Sequence, residues 1–464
     1  MSNVAALCGR GREMIMGEAS IWTKEVQVQR RKEFAGRISV NTAVIGGGMA
    51  GILTACLLQE KGISCVVLEA GRMGSGQTGR TTAKVTLQHR LIYDKLIRTR
   101  GIAQAQQYAD ANRRAIEEYR RLIAARRIDC DWQETAAYLY TKTHVGELQR
   151  ECRAAEKLGI PAEMVSRTEL PFPVEGALCF AEQAQFHPLK FLRQIAPEMK
   201  LCEHSRVLRV DAQELTLENG TVKAENIVFA SHYPFVNVPG YYFLKMHQER
   251  SYVLALAPKD GAKAREIKGM YLGIDAGGLS VRSWSGGILL GGEGHRTGEN
   301  TEGGRYLRLQ RAAAKYFPDY REEMRWSAQD CMTLDGVPYI GKYGHGRRNW
   351  YVATGFGKWG MTGSMTAAML LSDQIAGREN PNAEVFSPQR ILPRASAGNA
   401  LNETGHAVRG LVGGKETQKP LRCTHLSCHL TWNPEEQTYD CPCHGSRFDA
   451  EGRLLDGPAQ KNLP

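Results

Sequence analysis

Hydrophobic and polar positions alternate with different periods along the chain. Residues 42–45 form a short apolar run, a glycine turn follows, and residues 52–59 are apolar at helical spacing. Residues 64–68 form a second apolar run, so the segment predicts a strand–helix–strand unit. From 102 to 127 the positions Tyr108, Ile116, Tyr119 and Ile123 predict one long amphipathic helix. Its other face carries Arg113, Arg120 and Arg127, which reads either as a solvated face or as a dock for an acidic partner. Residues 216–230 predict paired strands around the turn Asn219-Gly220. Several strands are expected between 252 and 293, including 253–256 and 287–290. Residues 351–354 predict another strand, before a glycine-rich turn and an apolar helix over 364–376.

These segments set the domain boundaries. Residues 1–40 carry little pattern and read as an N-terminal arm. Packable residues first appear at Met16–Thr23, so 1–15 are expected to contribute nothing to the fold. Residues 41–379 form the main unit, and 380–405, rich in proline and small polar residues, form a linker. Residues 406–464 form a separate small module. The length of 464 residues accommodates two or three domains, and 42% apolar with 23% charged residues excludes collagen, coiled coil and wholesale disorder. No uncharged apolar run reaches the roughly 20 residues a bilayer requires. The net charge of +11 lies upstream of the C-terminal module and suits an anionic cofactor, substrate or partner.

Cysteine usage separates the two ends of the chain. Eight of the twelve cysteines are scattered without spacing, as expected of inert thiols in a reduced cytoplasm. Four crowd near the C-terminus with three histidines, a density that reads as a metal site. Arg30-Arg31 before an apolar run imitates a twin-arginine export signal, but the same run is accounted for by the strand, turn and helix above. A cytoplasmic location is expected.

The turn Gly46-Gly47-Gly48-Met49-Ala50-Gly51 fits G-x-G-x-x-G between a strand and a helix, and the second strand ends in Glu69. Gly46, Gly48 and Gly51 permit a tight turn and close backbone approach to a pyrophosphate at the helix N-terminus. Glu69 is positioned to accept from a ribose hydroxyl. Two further glycine segments matter. One is Gly74-Ser75-Gly76-Gln77-Thr78-Gly79-Arg80; the other is Thr354-Gly355-Phe356-Gly357-Lys358-Trp359-Gly360-Met361-Thr362. With Asp335-Gly336-Val337-Pro338-Tyr339-Ile340-Gly341, these resemble FAD-dependent oxidoreductases of the D-amino-acid oxidase and glycine oxidase superfamily over about 41–378. Thr78 stands where that family often has serine. The resemblance implies FAD, with Arg80 beside the pyrophosphate. It also implies Gly355, Gly357, Gly360 and Thr362 in a loop near the flavin's O2, where negative charge develops on reduction. It places a substrate-facing sheet at about 240–325. His247, Arg250, Tyr252, Arg282 and Arg296 are its candidate pocket residues, with Tyr252 and Arg282 the first choices as catalytic residues. An arginine fork suits a carboxylate.

The tail reads Cys423-Thr424-His425-Leu426-Ser427-Cys428, a spacer, then Cys441-Pro442-Cys443-His444-Gly445-Ser446. Zinc is the competing reading of such a cluster. The two loops, with Gly457-Pro458-Ala459 downstream, resemble the Rieske [2Fe–2S] motif. That resemblance implies Cys423, His425, Cys441 and His444 as iron ligands, and a disulfide between Cys428 and Cys443. Neutral imidazoles on one iron raise the potential. Ser427 replaces the usual glycine and Phe448 replaces the tyrosine of high-potential members. The module is short for a complete Rieske domain and would depend on cluster and disulfide as staples.

The expected fold is therefore an α/β Rossmann-like FAD-binding domain with an inserted antiparallel substrate-binding sheet, plus a small all-β C-terminal Rieske module. The expected function is oxidation of a small amine or amino-acid-like substrate by FAD. Electrons would then pass through the [2Fe–2S] cluster to a protein or quinone acceptor. An electron-transfer protein without an organic substrate, and a redox sensor, are the alternatives. Nucleic acid is not an expected partner.

Overall fold

The computed structural model describes residues 19–262, 265–390 and 421–464. The expectation for 1–15 lies outside these residues. From Ser20 the arm is packed. Ser20 caps the short helix Ile21–Glu25, whose Ile21 and Trp22 are buried, and Trp22 Nε1 donates to the Thr81 carbonyl at 2.7 Å.

The strand Gly36–Ile45 lies at the centre of an eight-stranded sheet. It runs parallel to Cys65–Leu68 on one side and to Gly220–Phe229 on the other. Gly220–Phe229 pairs parallel with Trp350–Thr354 and antiparallel with Glu214–Leu217, the hairpin that Asn219-Gly220 predicts. The helices Met49–Glu60 and Gly360–Ile375 pack on this sheet and on each other. Both are apolar nearly all round, as befits helices enclosed in a core.

A second, nine-stranded sheet is larger than the sequence suggests. Tyr320–Thr333, Met246–Pro258, Gly287–Arg296, Ser280–Trp284 and Met270–Gly273 are joined by Gln133–Thr141, Gly176–Gln185, Lys84–Val85 and Ala162–Val165. The substrate sheet therefore extends beyond 240–325. It is also mixed, because Met270–Gly273 and Gln133–Thr141 pair in parallel. The strands before 240 are separated from the rest by helices, so pattern alone could not assign them to the same sheet. The helix Ile102–Arg126 forms as its spacing predicts, ending at Arg127 in a left-handed turn. Two of the three arginines on its other face form surface ion pairs within the domain, and Arg127 is exposed. Arg113 pairs with Asp110 and Arg120 with Glu134, both at 2.7 Å.

Residues 380–390, assigned above to the linker, are packed. Val385 and Phe386 are buried, and Arg390 joins Arg100 on the buried Asp335. The C-terminal residues form four short antiparallel strands: Thr431–Asn433, Thr438–Asp440, Arg447–Asp449 and Leu454–Asp456. No described helix is long and apolar enough to cross a membrane.

Candidate functional site

The fingerprint turn shows why its glycines are required. Gly46 has φ +113°, and a Cβ there would meet the Ala230 carbonyl oxygen at 2.4 Å. A Cβ on Gly51 would meet the Gly46 carbonyl oxygen at 1.9 Å. Gly48 differs, since its only near neighbour is Thr78 Oγ1 at 3.2 Å and the remaining space is cavity. Thr78 Oγ1 accepts from the Met49 amide at 2.9 Å, so the hydroxyl that replaces serine helps order the helix start. Glu69 accepts from the amides of Gly47 at 2.6 Å and Gly71 at 2.7 Å, and burial pushes its carboxyl upward.

These loops open on a cavity of about 1710 Å³. Gly46, Gly48, Glu69, Thr78 and Arg80 line one part; Gly357, Lys358, Trp359 and Gly360 line another. The volume exceeds the usual few hundred to 1,000 Å³ of a small-molecule pocket and suits a dinucleotide with a substrate. Two carried-over positions do not face it. Gly355 packs against Thr333, and Thr362 Oγ1 bonds the backbone of Thr86 in both directions, at 2.9 and 3.0 Å.

Period-two alternation decides which residues of Met246–Pro258 face the cavity. Glu249, Ser251 and Val253 line it. The side chains of Gln248, Arg250 and Tyr252 project to the opposite face. Tyr252 borders the cavity, but its hydroxyl meets His295 Nε2 at 3.0 Å and Asn300 at 3.4 Å. Arg282 is buried with its guanidinium spent on the carbonyls of Thr82, Ala83 and Ser283, leaving no fork for a carboxylate. Arg250 and Arg296 hold the C-terminal module, and His247 lies 3.5 Å from Glu249. The pocket residues nominated from sequence are therefore largely structural.

The charged groups on the sheet side of the cavity were not singled out from the sequence. Lys358 Nζ lies 3.1 Å from Ser251 Oγ, 3.3 Å from Glu249 and 3.6 Å from Asp330. Burial pushes the Glu249 carboxyl up, but His247 and Lys358 outweigh it and hold it at about 2. Burial raises Asp330 to about 6 and lowers Lys84, which donates to Ser280 Oγ at 2.8 Å, to about 7. Lys358 stands in a quoted motif, and Glu249 belongs to the odd register of the strand. Those were the available signals.

The C-terminal strands bring two loops together. Cys428 and Cys443 form a disulfide. The sulfurs of Cys428, Cys441 and Cys443 lie within 4.8 Å of one another, but two of them are spent on that bond. Cys441 and Cys423 remain as adjacent thiols; their mutual hydrogen bond holds Cys423 below the usual thiol range and pushes Cys441 above it. The rings of His425 and His444 stand 5.0 Å apart at 88°. His425 Nε2 donates to Asn237 Oδ1 at 2.9 Å, so its proton is on Nε2. Its buried Nδ1, which has no hydrogen-bond partner, carries the lone pair. Two thiols and two imidazoles, that of His425 with a bare Nδ1, fit a [2Fe–2S] cluster ligated by Cys₂ and His₂.

The module is docked through buried polar contacts. Arg250 bonds Glu436 at 2.7 Å; Glu436 and Arg447 pair at 2.7 Å, and Arg447 reaches Asp456 at 2.9 Å. Glu435 accepts from the amides of Arg305 and Tyr306, capping the helix Arg305–Tyr316 from the other module. Asp456 lies 3.9 Å from Arg80, the arginine expected beside the pyrophosphate.

The profile of the FAD dependent oxidoreductase family matches residues 41–374, and that of the Rieske [2Fe-2S] domain matches 416–464. The chain belongs to the FAD-dependent oxidoreductase family. It is a member with a C-terminal Rieske domain, binding FAD and a [2Fe–2S] cluster. It is 34% identical, over 91% of its length and 92% of the relative's, to the putative Rieske 2Fe-2S iron-sulfur protein YhfW of Bacillus subtilis. In fold it is similar to glycine oxidase from Geobacillus kaustophilus, with TM-score 0.64 and 19% identity, covering 76% of this chain and 99% of that one. It is also similar to L-proline dehydrogenase from P. horikoshii, with TM-score 0.65 and 18% identity, covering 77% and 98%.

Proposed function

We propose that this family member oxidises a small amine or amino-acid-like substrate and passes the electrons out through its own Rieske cluster. The observation that carries the reading is the shared cavity. Leu454, Leu455, Asp456, Gly457 and Pro458 of the Rieske domain line the same cavity as Gly46, Gly48 and Thr78 of the dinucleotide turn. Cofactor and cluster domain are neighbours within one chain.

FAD accepts a hydride and the cluster accepts single electrons; the protein supplies binding, orientation and electrostatics. The backbone at Gly48, open to the cavity, would receive the pyrophosphate, and Glu69 the ribose. Cys423, His425, Cys441 and His444 hold the cluster. On the sheet face, Glu249 stays ionised and meets a cationic amine, with Lys358 fixed between it and Asp330. An ammonium must lose a proton before its C–H can leave as hydride. Asp330 at about 6 and Lys84 at about 7 are cavity groups placed to take up or give a proton near neutrality.

Anaerobic mixing with a panel of amines and amino acids tests this. A substrate should bleach the flavin absorbance and then reduce the cluster, seen by its electron paramagnetic resonance signal. Bleaching only by a partner protein or NAD(P)H would favour an electron-transfer protein without an organic substrate.

A further inference from the structure

The edge of the cluster site that carries the imidazoles is covered by the main domain's own loop. Asn237 accepts from His425 Nε2, and the Phe243 ring stands perpendicular to that of His444 with centroids 6.0 Å apart. Between and beside these contacts the loop turns Val238, Tyr241 and Leu244 outward, exposed by 58%, 45% and 62%. Seven large hydrophobic residues are exposed among the described residues, and three of them fall in these seven positions. Scattered apolar residues need no explanation, but a concentration over a redox site does.

The surroundings are basic. The loop packs beside residues 343–349, where Tyr343 donates to the Val236 carbonyl and Tyr242 to that of Tyr343. Lys461 is held next to His425 by the bond from Thr424 Oγ1 to its carbonyl at 2.7 Å. Segments 231–245, 342–350, 421–430 and 457–464 contain six lysines and arginines and no aspartate or glutamate. Arg347, Arg348, Arg422 and Lys461 are exposed.

We propose that residues 237–244, with this basic surround, are the docking surface for a small acidic one-electron carrier protein. The proposal rests on the reading that electrons leave through the Rieske domain. A small apolar centre framed by charge suits a transient redox encounter, where steering sets the rate and rapid release is needed. Each encounter moves one electron. The cluster returns to its all-ferric state, the carrier is reduced by one electron, and no proton need cross the interface. Two carriers are consumed per hydride removed from substrate.

The test uses the holoprotein, with an acidic plastocyanin and a basic cytochrome c as probes, both one-electron acceptors. Binding is read by surface plasmon resonance, and reoxidation of dithionite-reduced protein by stopped flow. Plastocyanin should bind and reoxidise the protein, more weakly as salt rises, and cytochrome c should do neither comparably. Arg347→Glu with Arg348→Glu, and separately Leu244→Ser, should weaken plastocyanin binding and slow its reoxidation by about tenfold or more. Flavin and iron content should stay unchanged, since these side chains are exposed. Equal, salt-independent behaviour of the two probes would overturn the proposal, as would variants that leave plastocyanin binding intact. So would a dimer dissociated by Leu244→Ser, or binding to anionic vesicles without binding to plastocyanin. Because dithionite supplies the electrons, failure here is distinguishable from failure to find an organic substrate.

Discussion

The Gln248 side chain donates to the carbonyl of His444 at 2.6 Å and to that of Gly457 at 3.1 Å. Its own carbonyl accepts from Gln329 Nε2 at 2.7 Å, which also donates to Gly445 at 2.8 Å. The Gln329 amide in turn donates to Gln77 in the second glycine loop at 2.7 Å. A continuous hydrogen-bonded path therefore runs from the pyrophosphate loop to a candidate iron ligand. Gly445, at φ +81°, has no Cβ because Gln248 occupies that space.

Gln248→Leu should break this path. It removes the Gln248 partner from two buried carbonyls and from one N–H of Gln329 Nε2, at about 1–3 kcal/mol for each buried group so deprived. The wild type should lose flavin fluorescence quenching and cluster circular dichroism in one coincident denaturation transition. In the variant the two transitions should separate, with the cluster domain leaving first. Coincident curves at the wild-type midpoint would show that the glutamine does not hold the domains together.

Acid should undock the Rieske domain. Burial pushes Glu436 up, but Arg250 and Arg447 prevail and hold it at about 2; Asp456 is held lower still by Arg80 and Arg447. A carboxylate depressed in the folded state contributes stability that is complete above its unfolded pKa, near 4.3, and is lost as pH falls through the folded value. Stability should thus decline between about pH 5 and pH 2. In Arg250→Met, Glu436 loses one of its two cations and its folded value rises toward the unfolded one, so stability at neutral pH should be lower and the further loss in acid smaller and complete at higher pH. Urea midpoints measured across this range provide the check.

Local signals carried much of the architecture into the sequence. The fingerprint glycines, the hairpin at Asn219-Gly220, the long helix and the two cysteine loops depend on neighbours close in the chain. Relationships between distant segments were not legible. Which face of Met246–Pro258 meets the cavity depends on register against Gly287–Arg296 and Tyr320–Thr333, so Arg250 and Tyr252 read like pocket residues although their side chains serve the opposite face. Arg282 looked like a substrate fork because nothing in its own strand reveals that backbone at 82–83 consumes it. The packed helix around Trp22 was missed because five residues are too few to establish a period.

Glycine substitutions in the fingerprint should separate binding from folding. Gly48→Val points a branched side chain into the cavity, where only Thr78 is close, so the protein should fold, keep its iron and lose its yellow colour. Gly51→Ala places a methyl group onto the Gly46 carbonyl and should cost the fold itself, lowering soluble yield and melting temperature. Flavin and iron assays on the two purified proteins distinguish the cases. Retention of flavin by Gly48→Val would mean the pyrophosphate lies elsewhere.

The cluster potential is the last quantity the residues set. Ser446 is fully buried, accepts from the Ala459 amide at 3.0 Å, and its hydroxyl is hydrogen-bonded to Cys423, holding that thiol lower. A donor at a ligand sulfur or bridging sulfide stabilises the extra negative charge of the reduced cluster. Phe448 packs fully buried among Cys423, Cys428, Cys441 and Cys443, where a tyrosine would add a second donor. A hydrogen bond to a charged group is worth about 1.5–3 kcal/mol. For one electron, about 1.36 kcal/mol corresponds to 59 mV. Allowing for partial replacement by other dipoles, each bond should shift the midpoint by roughly 50–100 mV. Ser446→Ala should therefore lower the midpoint and Phe448→Tyr raise it, placing the natural protein in the middle of the Rieske range. Protein-film voltammetry reads both shifts. An unchanged midpoint in Phe448→Tyr, with iron content intact, would show that the ring's para position does not face a cysteine sulfur, leaving Ser446 to carry the tuning.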